Sequence, residues 1–243
     1  MLMTNKDFYA GKLYYSKSEK HFKNFCDAFL CVCIIICFCV VVFNSLFFPA
    51  IVSGSSMVPT LNADYANNST HRDMVYATNY LKANKGDIVL VDLPGFENDG
   101  IKRLIATGGD VVSFGDIYKA DEDSIYINDE KLVEVGYLKN DNTQCVNGFK
   151  QMIKECVESG EDYYSGDRLI LKYEWIKQNS AGEYQIYLPQ DYCIFLGDNR
   201  PNSYDCSEIG PQKNTSIHAK VVMIIPYGYN LLTYFSSKLF GTL

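Results

Sequence analysis

The hydrophobic pattern divides the chain into two unlike parts. From Ala28 to Val52 no residue is formally charged, and Phe29 to Phe43 is apolar throughout. At about 1.5 Å rise per residue, the 25 residues from Ala28 to Val52 cover roughly 37 Å against about 30 Å of bilayer hydrocarbon. A tilted membrane-spanning helix over 28–48, ending near Phe48 and Pro49, is the expectation. A cleaved secretory signal would have a shorter apolar region, about 7 to 15 residues, before a small-x-small site. Beyond the span the pattern changes to short β-type runs separated by turns. Ile88-Val89-Leu90-Val91 reads as a buried strand, introduced by Lys85-Gly86-Asp87 and ended by Pro94-Gly95. Lys102 to Ile105 begins another, closed by Gly108-Gly109-Asp110 and followed by Val111-Val112. Ser124 to Asn128 alternates, and Cys193 to Leu196 is a further apolar run. No helical periodicity persists long enough for a bundle, so the outer part is expected to be mainly β. Residues 133–185 are acidic and tyrosine-rich, predict one short helix over Phe149 to Glu158, and read as an inserted cap. Met223 to Leu243, broken by Pro226 and Gly228, reads as a surface strand followed by an amphipathic tail resting on the membrane.

Charge sets the orientation expected of these parts. Residues 1–27 carry five lysines against three acids, 5 − 3 = +2, which places a 1–27 tail in the cytoplasm and residues 49–243 outside it. The whole chain of 243 residues has 22 basic and 29 acidic residues, 22 − 29 = −7, a balance opposed to nucleic-acid binding. Five cysteines (Cys26, Cys31, Cys33, Cys37, Cys39) lie in or beside the span and read as polarizable apolar filler, with no histidine or carboxylate to complete a metal site. Cys145, Cys156, Cys193 and Cys206 lie in the outer part, where four cysteines allow three pairings and spacing selects none.

Three outer segments carry groups able to do chemistry. Ser53-Gly54-Ser55-Ser56-Met57-Val58-Pro59-Thr60 follows the span by a few residues and combines serines with glycine and proline, which can hold a hydroxyl rigidly beside free amides. A serine needs a base. Of the three histidines, His21 lies in the tail, His71 in a polar loop, and His218 without a glycine-flanked acid nearby, so a histidine triad has little support. Lysine can replace histidine, but at a pKa near 10.4 less than roughly 0.1% is neutral at pH 7, and burial would have to lower that pKa by about 2 to 4. Lys102, between Ile101 and Leu104-Ile105, suits burial, although the adjacent Arg103 reads as exposed. The third segment, Gly197-Asp198-Asn199-Arg200-Pro201-Asn202-Ser203-Tyr204-Asp205, packs polar groups directly behind an apolar strand.

In this order the segments resemble those of bacterial type I signal peptidases, membrane-anchored Ser/Lys endopeptidases that remove signal peptides from exported proteins. The resemblance rests on S-G-S-S-M-V-P-T-L (53–61), K-G-D-I-V-L (85–90), K-R-L-I-A-T-G-G-D (102–110) and G-D-N-R-P-N-S-Y-D (197–205), after an N-terminal span. It implies a β-rich catalytic domain of the signal-peptidase type, with Ser56 as nucleophile and Lys102 as general base. Ser203 would orient the Lys102 amine, and Asp205, with Asp198 and Arg200, would buttress the loop through a salt bridge. The Ser56 amide would donate to the oxyanion. Gly54 stands where some members have a serine, so the hole would rest more on backbone groups. Val52, Met57, Leu61 and Ile101 would line shallow pockets for small residues, giving an Ala-x-Ala preference, with the substrate extended beside Ile51 to Ser53 and Asp99 to Ile101. The implied partners are signal peptides of exported preproteins and the lipid bilayer, with an export translocon as a further candidate; no metal, cofactor or nucleic acid is implied. Asp205-Cys206-Ser207 replaces a common Asp-Ser-Arg, and Thr107-Gly108-Gly109-Asp110 a common Leu-Pro-Gly-Asp, which removes one structural arginine but leaves the dyad. Two alternatives remain at this point: a noncatalytic membrane-anchored protein that binds signal peptides, and a Ser/Lys self-cleaving regulator, which the span and the negative charge disfavour.

Overall fold

A computed structural model describes residues 17–65, 67, 68, 70–119 and 123–240. Most of the tail expected over 1–27 lies outside the described residues, as do the last three residues. Two units are separable, residues 1–46 and 47–243. In the first, helix α1 (Lys17–Leu46) contains a stretch from Lys20 to Leu46 that is long and apolar enough to cross a membrane. The helix stops before the expected Phe48 because the chain there becomes strand β1 (Phe48–Ile51), and Pro49 cannot donate to a helical ladder.

The second unit is built on an antiparallel sheet. Its strands are β1, β2 (Met74–Thr78), β3 (Ile88–Val91), β4 (Gly100–Thr107), β12 (Tyr192–Leu196), β13 (Gln212–Lys213) and β14 (Ile217–Ile225), in the order β1-β2-β14-β3-β4-β12-β13. A second sheet of five strands contains β5 (Val111–Ser113), β6 (Tyr126–Ile127), β7 (Glu130–Lys131), β10 (Ile176–Gln178) and β11 (Tyr184–Tyr187), while β8 (Tyr163–Ser165) and β9 (Arg168–Leu171) form a hairpin. Strand β3 shows why its sequence does not alternate: it is covered on both faces. Val89 and Val91 enter the main core with Leu104, Phe195 and Leu196, whereas Ile88 and Leu90 enter a smaller cluster with Val52, Met57, Leu61, Val75 and Val221.

Helices α2 (Thr143–Ser159), α3 (Cys206–Ile209) and α4 (Leu231–Phe240) complete the unit. Helix α2 begins six residues before the expected Phe149. Cys145, Val146, Phe149, Met152, Ile153 and Cys156 form one buried stripe, and Gly160, at φ 73°, ends the helix with its N–H donated to Cys156. That stripe lies in the same core as β3, β4 and β12. The 133–185 segment, expected as an inserted cap, thus contributes helix α2 and residues Ile170, Leu171 and Trp175 to the main core. The four outer cysteines are all buried and free.

Candidate active site

The site forms where β4, the end of β12 and the 53–62 loop meet at Gly197. Strand β4 pairs with β3 through Val89 and Lys102 and with β12 through Arg103 and Leu196, so Lys102 lies one residue past the last β4–β12 pair, next to Gly197. Gly197 has no room for a side chain: a Cβ there would collide with Ser203 Oγ and with the Ser56 carbonyl oxygen. Glycine is thus required by close approach, and its absent side chain brings the Ser56 backbone and the Ser203 hydroxyl to the strand that carries Lys102.

Lys102 is 3% exposed. Burial lowers its pKa from the ordinary 10.5, against the opposing pull of Asp205 and, less strongly, Asp198 and Glu208. Ser56 is half-buried in the turn after Val52, and Ser203 Oγ is buried without a hydrogen-bond partner. No hydrogen bond joins Ser56 Oγ, Lys102 Nζ and Ser203 Oγ among the described residues, so the orienting contact expected from Ser203 is not made in this conformation.

The loop that carries Ser56 is held by side-chain amides and by two bonds to carboxylates, from Thr60 Oγ1 to Asp198 and from the Asn62 N–H to Asp73. The Asn199 amide N–H donates to the Ser56 carbonyl at 2.9 Å, and its side chain donates to the Ser55 carbonyl at 2.9 Å. Asn62, at φ 54°, donates from Nδ2 to the carbonyls of Val52 and Gly54, both at 3.0 Å, and accepts from the Asp73 N–H at 2.7 Å. Gly54 has φ 90° and open space around it. Val52, Met57 and Leu61 are buried in the smaller cluster, with half-buried Ile101 packed against them. The four residues expected to line substrate pockets thus share one apolar wall.

The expected salt bridge among Asp198, Arg200 and Asp205 is replaced by two others. Asp198 pairs with Arg103, which approaches it from Nε at 2.9 Å and from Nη2 at 2.6 Å. Arg103 also donates to the Gly86 carbonyl at 2.8 Å and lies 4.1 Å from the centre of the Tyr137 ring, so it is folded onto the protein and not exposed as its sequence position suggested. Arg200 turns the other way. Its Nε donates to the Gly197 carbonyl at 2.9 Å, and its guanidinium meets Glu134 and Asn142 in the 133–185 segment. Asp205 accepts from the Gly197 N–H at 2.8 Å and from Ser207 N and Oγ at 3.0 and 2.9 Å. Ser207 thereby satisfies the carboxylate where an arginine would be common. Arg103 and Glu134 were missed because each finds its partner far away in sequence, and only the place of Arg103 beside Lys102 offered a signal; the partners of Asn62 lie within 8 to 11 residues, but across a loop whose path no pattern indicates. His71 bonds Asp64 at 2.9 Å and stacks on Tyr227, and His218 pairs with Asp99 at 2.9 Å, which leaves the lysine as the buried base candidate. Among the described residues no group of three His, Cys, Asp or Glu is placed to hold a metal ion.

A β-rich domain that brings the Ser56 backbone and the Ser203 hydroxyl to the strand carrying a buried lysine has the groups a serine hydrolase needs, and comparison with known proteins identifies the family. The chain belongs to the signal peptidase family, peptidase S26, whose model matches residues 25–226, and is a serine peptidase hydrolase. It is 28% identical to signal peptidase I U of Bacillus subtilis (strain 168) over 182 residues, covering 74% of this chain and 76% of that protein. To signal peptidase I of Rickettsia akari (strain Hartford) it is 35% identical over 126 residues, covering 50% of this chain and 43% of that protein. A crystal structure of a signal peptidase I from Enterococcus faecalis V583 covers 59% of this chain and 98% of its own at 22% identity, with a TM-score of 0.32.

Proposed function

We propose that the chain is a membrane-anchored endopeptidase that removes signal peptides from exported preproteins with Ser56 as nucleophile and Lys102 as general base. The observation that carries this reading is Lys102 itself: a buried amine with a depressed pKa, on the strand beside Gly197, where the Ser56 backbone and the Ser203 hydroxyl converge. Neutral Lys102 takes the Ser56 proton as Oγ attacks the scissile carbonyl. The resulting ammonium returns that proton to the departing amine, leaving an ester on Ser56. Water deprotonated by Lys102 then releases the signal peptide and restores the serine. Ser203 orients the amine once the site closes around substrate. Asp198, Arg200 and Asp205 hold the 197–207 segment, and the Ser56 amide, with Gly54 leaving space beside it, serves the oxyanion. Val52, Met57, Leu61 and Ile101 form the apolar wall that admits small side chains in an Ala-x-Ala segment. In this reading residues 1–27 are cytoplasmic, 28–48 cross the membrane and 49–243 face outward, near the bilayer and the export translocon.

Processing of a preprotein by the full chain in membranes tests it. Ser56→Ala and Lys102→Ala should each lower the cleavage rate by at least about 10³-fold. Lys102→Arg should fail as well, since guanidinium does not give up its proton. Wild-type kcat/KM should rise with pH along an acid limb set by Lys102 and lying below the ordinary lysine value of 10.5. Undiminished cleavage by Ser56→Ala would end the assignment, and binding of signal peptide without any cleavage by the wild type would favour a noncatalytic binding protein.

A further inference from the structure

A groove of about 900 Å³ lies between α2 and the 201–208 segment. Its α2 wall is a row of three exposed amides, Gln144, Asn147 and Gln151, at helical spacings of three and four residues, and Ser207 and Glu208 line the opposite side. The floor is tight: a Cβ on Gly148 would collide with the Ser207 carbonyl, so α2 sits hard against α3 at this point. One end of the groove is linked to the Ser56 loop through Asn199. Asn140, which lines it, is within 3.5 Å of the Asn199 side chain, and Asn199 holds the Ser55 and Ser56 carbonyls.

Two sides of the site therefore differ in chemistry. Val52, Met57, Leu61 and Ile101 form an apolar cluster under the Ser56 loop, the side proposed above for the signal peptide. The α2 groove offers amides, each able to donate and to accept, suited to the N–H and C=O groups of a polar extended chain. Resting on the signal-peptidase reading above, we propose that this groove binds the mature-chain side of the preprotein, the residues that follow the cut, in extended form. Asp141 and Glu208 at its rim give it a preference for neutral or basic residues there over acidic ones.

The test uses the full chain in detergent and two synthetic substrates with the same signal segment, one ending a single residue after the cut and one continuing for about eight polar residues. The longer substrate should be cleaved with a kcat/KM about tenfold higher, the size expected of one or two amide–backbone hydrogen bonds made in the transition state. The triple variant Gln144→Ala, Asn147→Ala, Gln151→Ala changes exposed residues only. It should reduce that advantage to below about twofold while cleaving the short substrate as the wild type does. Aspartates at the second and fourth positions after the cut should weaken the longer substrate more than lysines at the same places. Equal rates for the two substrates with the wild type, or a full advantage retained by the triple variant, would overturn the groove assignment. Cleavage of the short substrate that survives Ser56→Ala would instead overturn the underlying reading, so the two failures are distinct.

Discussion

The two segments that carry Ser56 and Ser203 differ in how far charge holds them. Residues 53–62 are partly open to solvent and are fastened by neutral hydrogen bonds from Asn62 and Asn199 together with two bonds to carboxylates, from Thr60 Oγ1 to Asp198 and from the Asn62 N–H to Asp73. In 197–207, Asp198, Asn199, Arg200, Ser203 and Asp205 are all buried, and the charges are matched one by one against Arg103, Glu134 and the N–H and O–H donors around Asp205. Neutral hydrogen bonds contribute about 1 kcal/mol each and exchange readily, whereas unmatched buried charges are penalised by several kcal/mol. The 197–207 segment is thus the stiffer frame, and 53–62, though tied to it at Asp198 through Thr60, is the softer part. On the proposed mechanism, substrate would close the open contacts of Ser56, Lys102 and Ser203.

The sharpest way to break the contrast is to unmatch a charge in the stiff segment. Glu134 and Arg200 have side-chain exposures of 6% and 0%, and Arg200 also anchors the Gly197 carbonyl. Glu134→Ala leaves a guanidinium buried without its carboxylate, so unfolding free energy should fall by about 3 to 5 kcal/mol in chemical denaturation. Glu134→Gln keeps the shape and one acceptor and should lose less. A loss below about 1 kcal/mol in Glu134→Ala would mean that Arg200 finds another anion and that the frame is not charge-matched as described.

The soft segment should respond differently. Asn62→Ala removes two donors and one acceptor and places alanine at φ 54°, for a stability loss of about 2 kcal/mol. Asn62→Gly relieves the backbone but not the hydrogen bonds, so it separates the two contributions. In both variants kcat/KM should fall by about tenfold or more, because the bonds lost fix Val52 and Gly54, which lead into Ser56. If activity follows stability alone, the loop has no positioning role.

What could be read from the sequence divides along the same line. Strand β3 was legible because a strand covered on both faces must be apolar at every position. Ser56, Lys102 and Ser203 were singled out through the order of short motifs, which local spacing preserves, and the family those motifs resemble is the one the chain belongs to. The stiffening partners were not, because burial at Glu134 reverses the usual rule: the acid turns inward while its neighbours Val133 and Val135 are 75% and 87% exposed. No local pattern indicates such a reversal; it follows from where Arg200 lies in space. The first turns of α2 were hidden for a related reason. Thr143, Gln144, Asn147 and Gly148 precede the stretch expected to be helical, Phe149 to Glu158, and only the three-dimensional stripe through Cys145 and Val146 reveals a helix whose outward amides then face the groove.

The smallest effect should sharpen the contrast at Lys102 itself, a buried cation for which no ion pair is found among the described residues. Its folded pKa is lower than the unfolded 10.5, so between those two values the unfolded chain binds more protons than the folded one. Stability from this group is therefore fully present above 10.5 and is lost as pH falls through the folded pKa. Lys102→Met keeps the apolar stem and removes the titration. It should be inactive and more stable than the wild type at low pH, with the difference shrinking as pH rises towards 10.5. Thermal denaturation of both proteins across that range checks the sign. A constant difference would mean that Lys102 is solvated and ionised in the folded chain, and the frame would then hold no activated base.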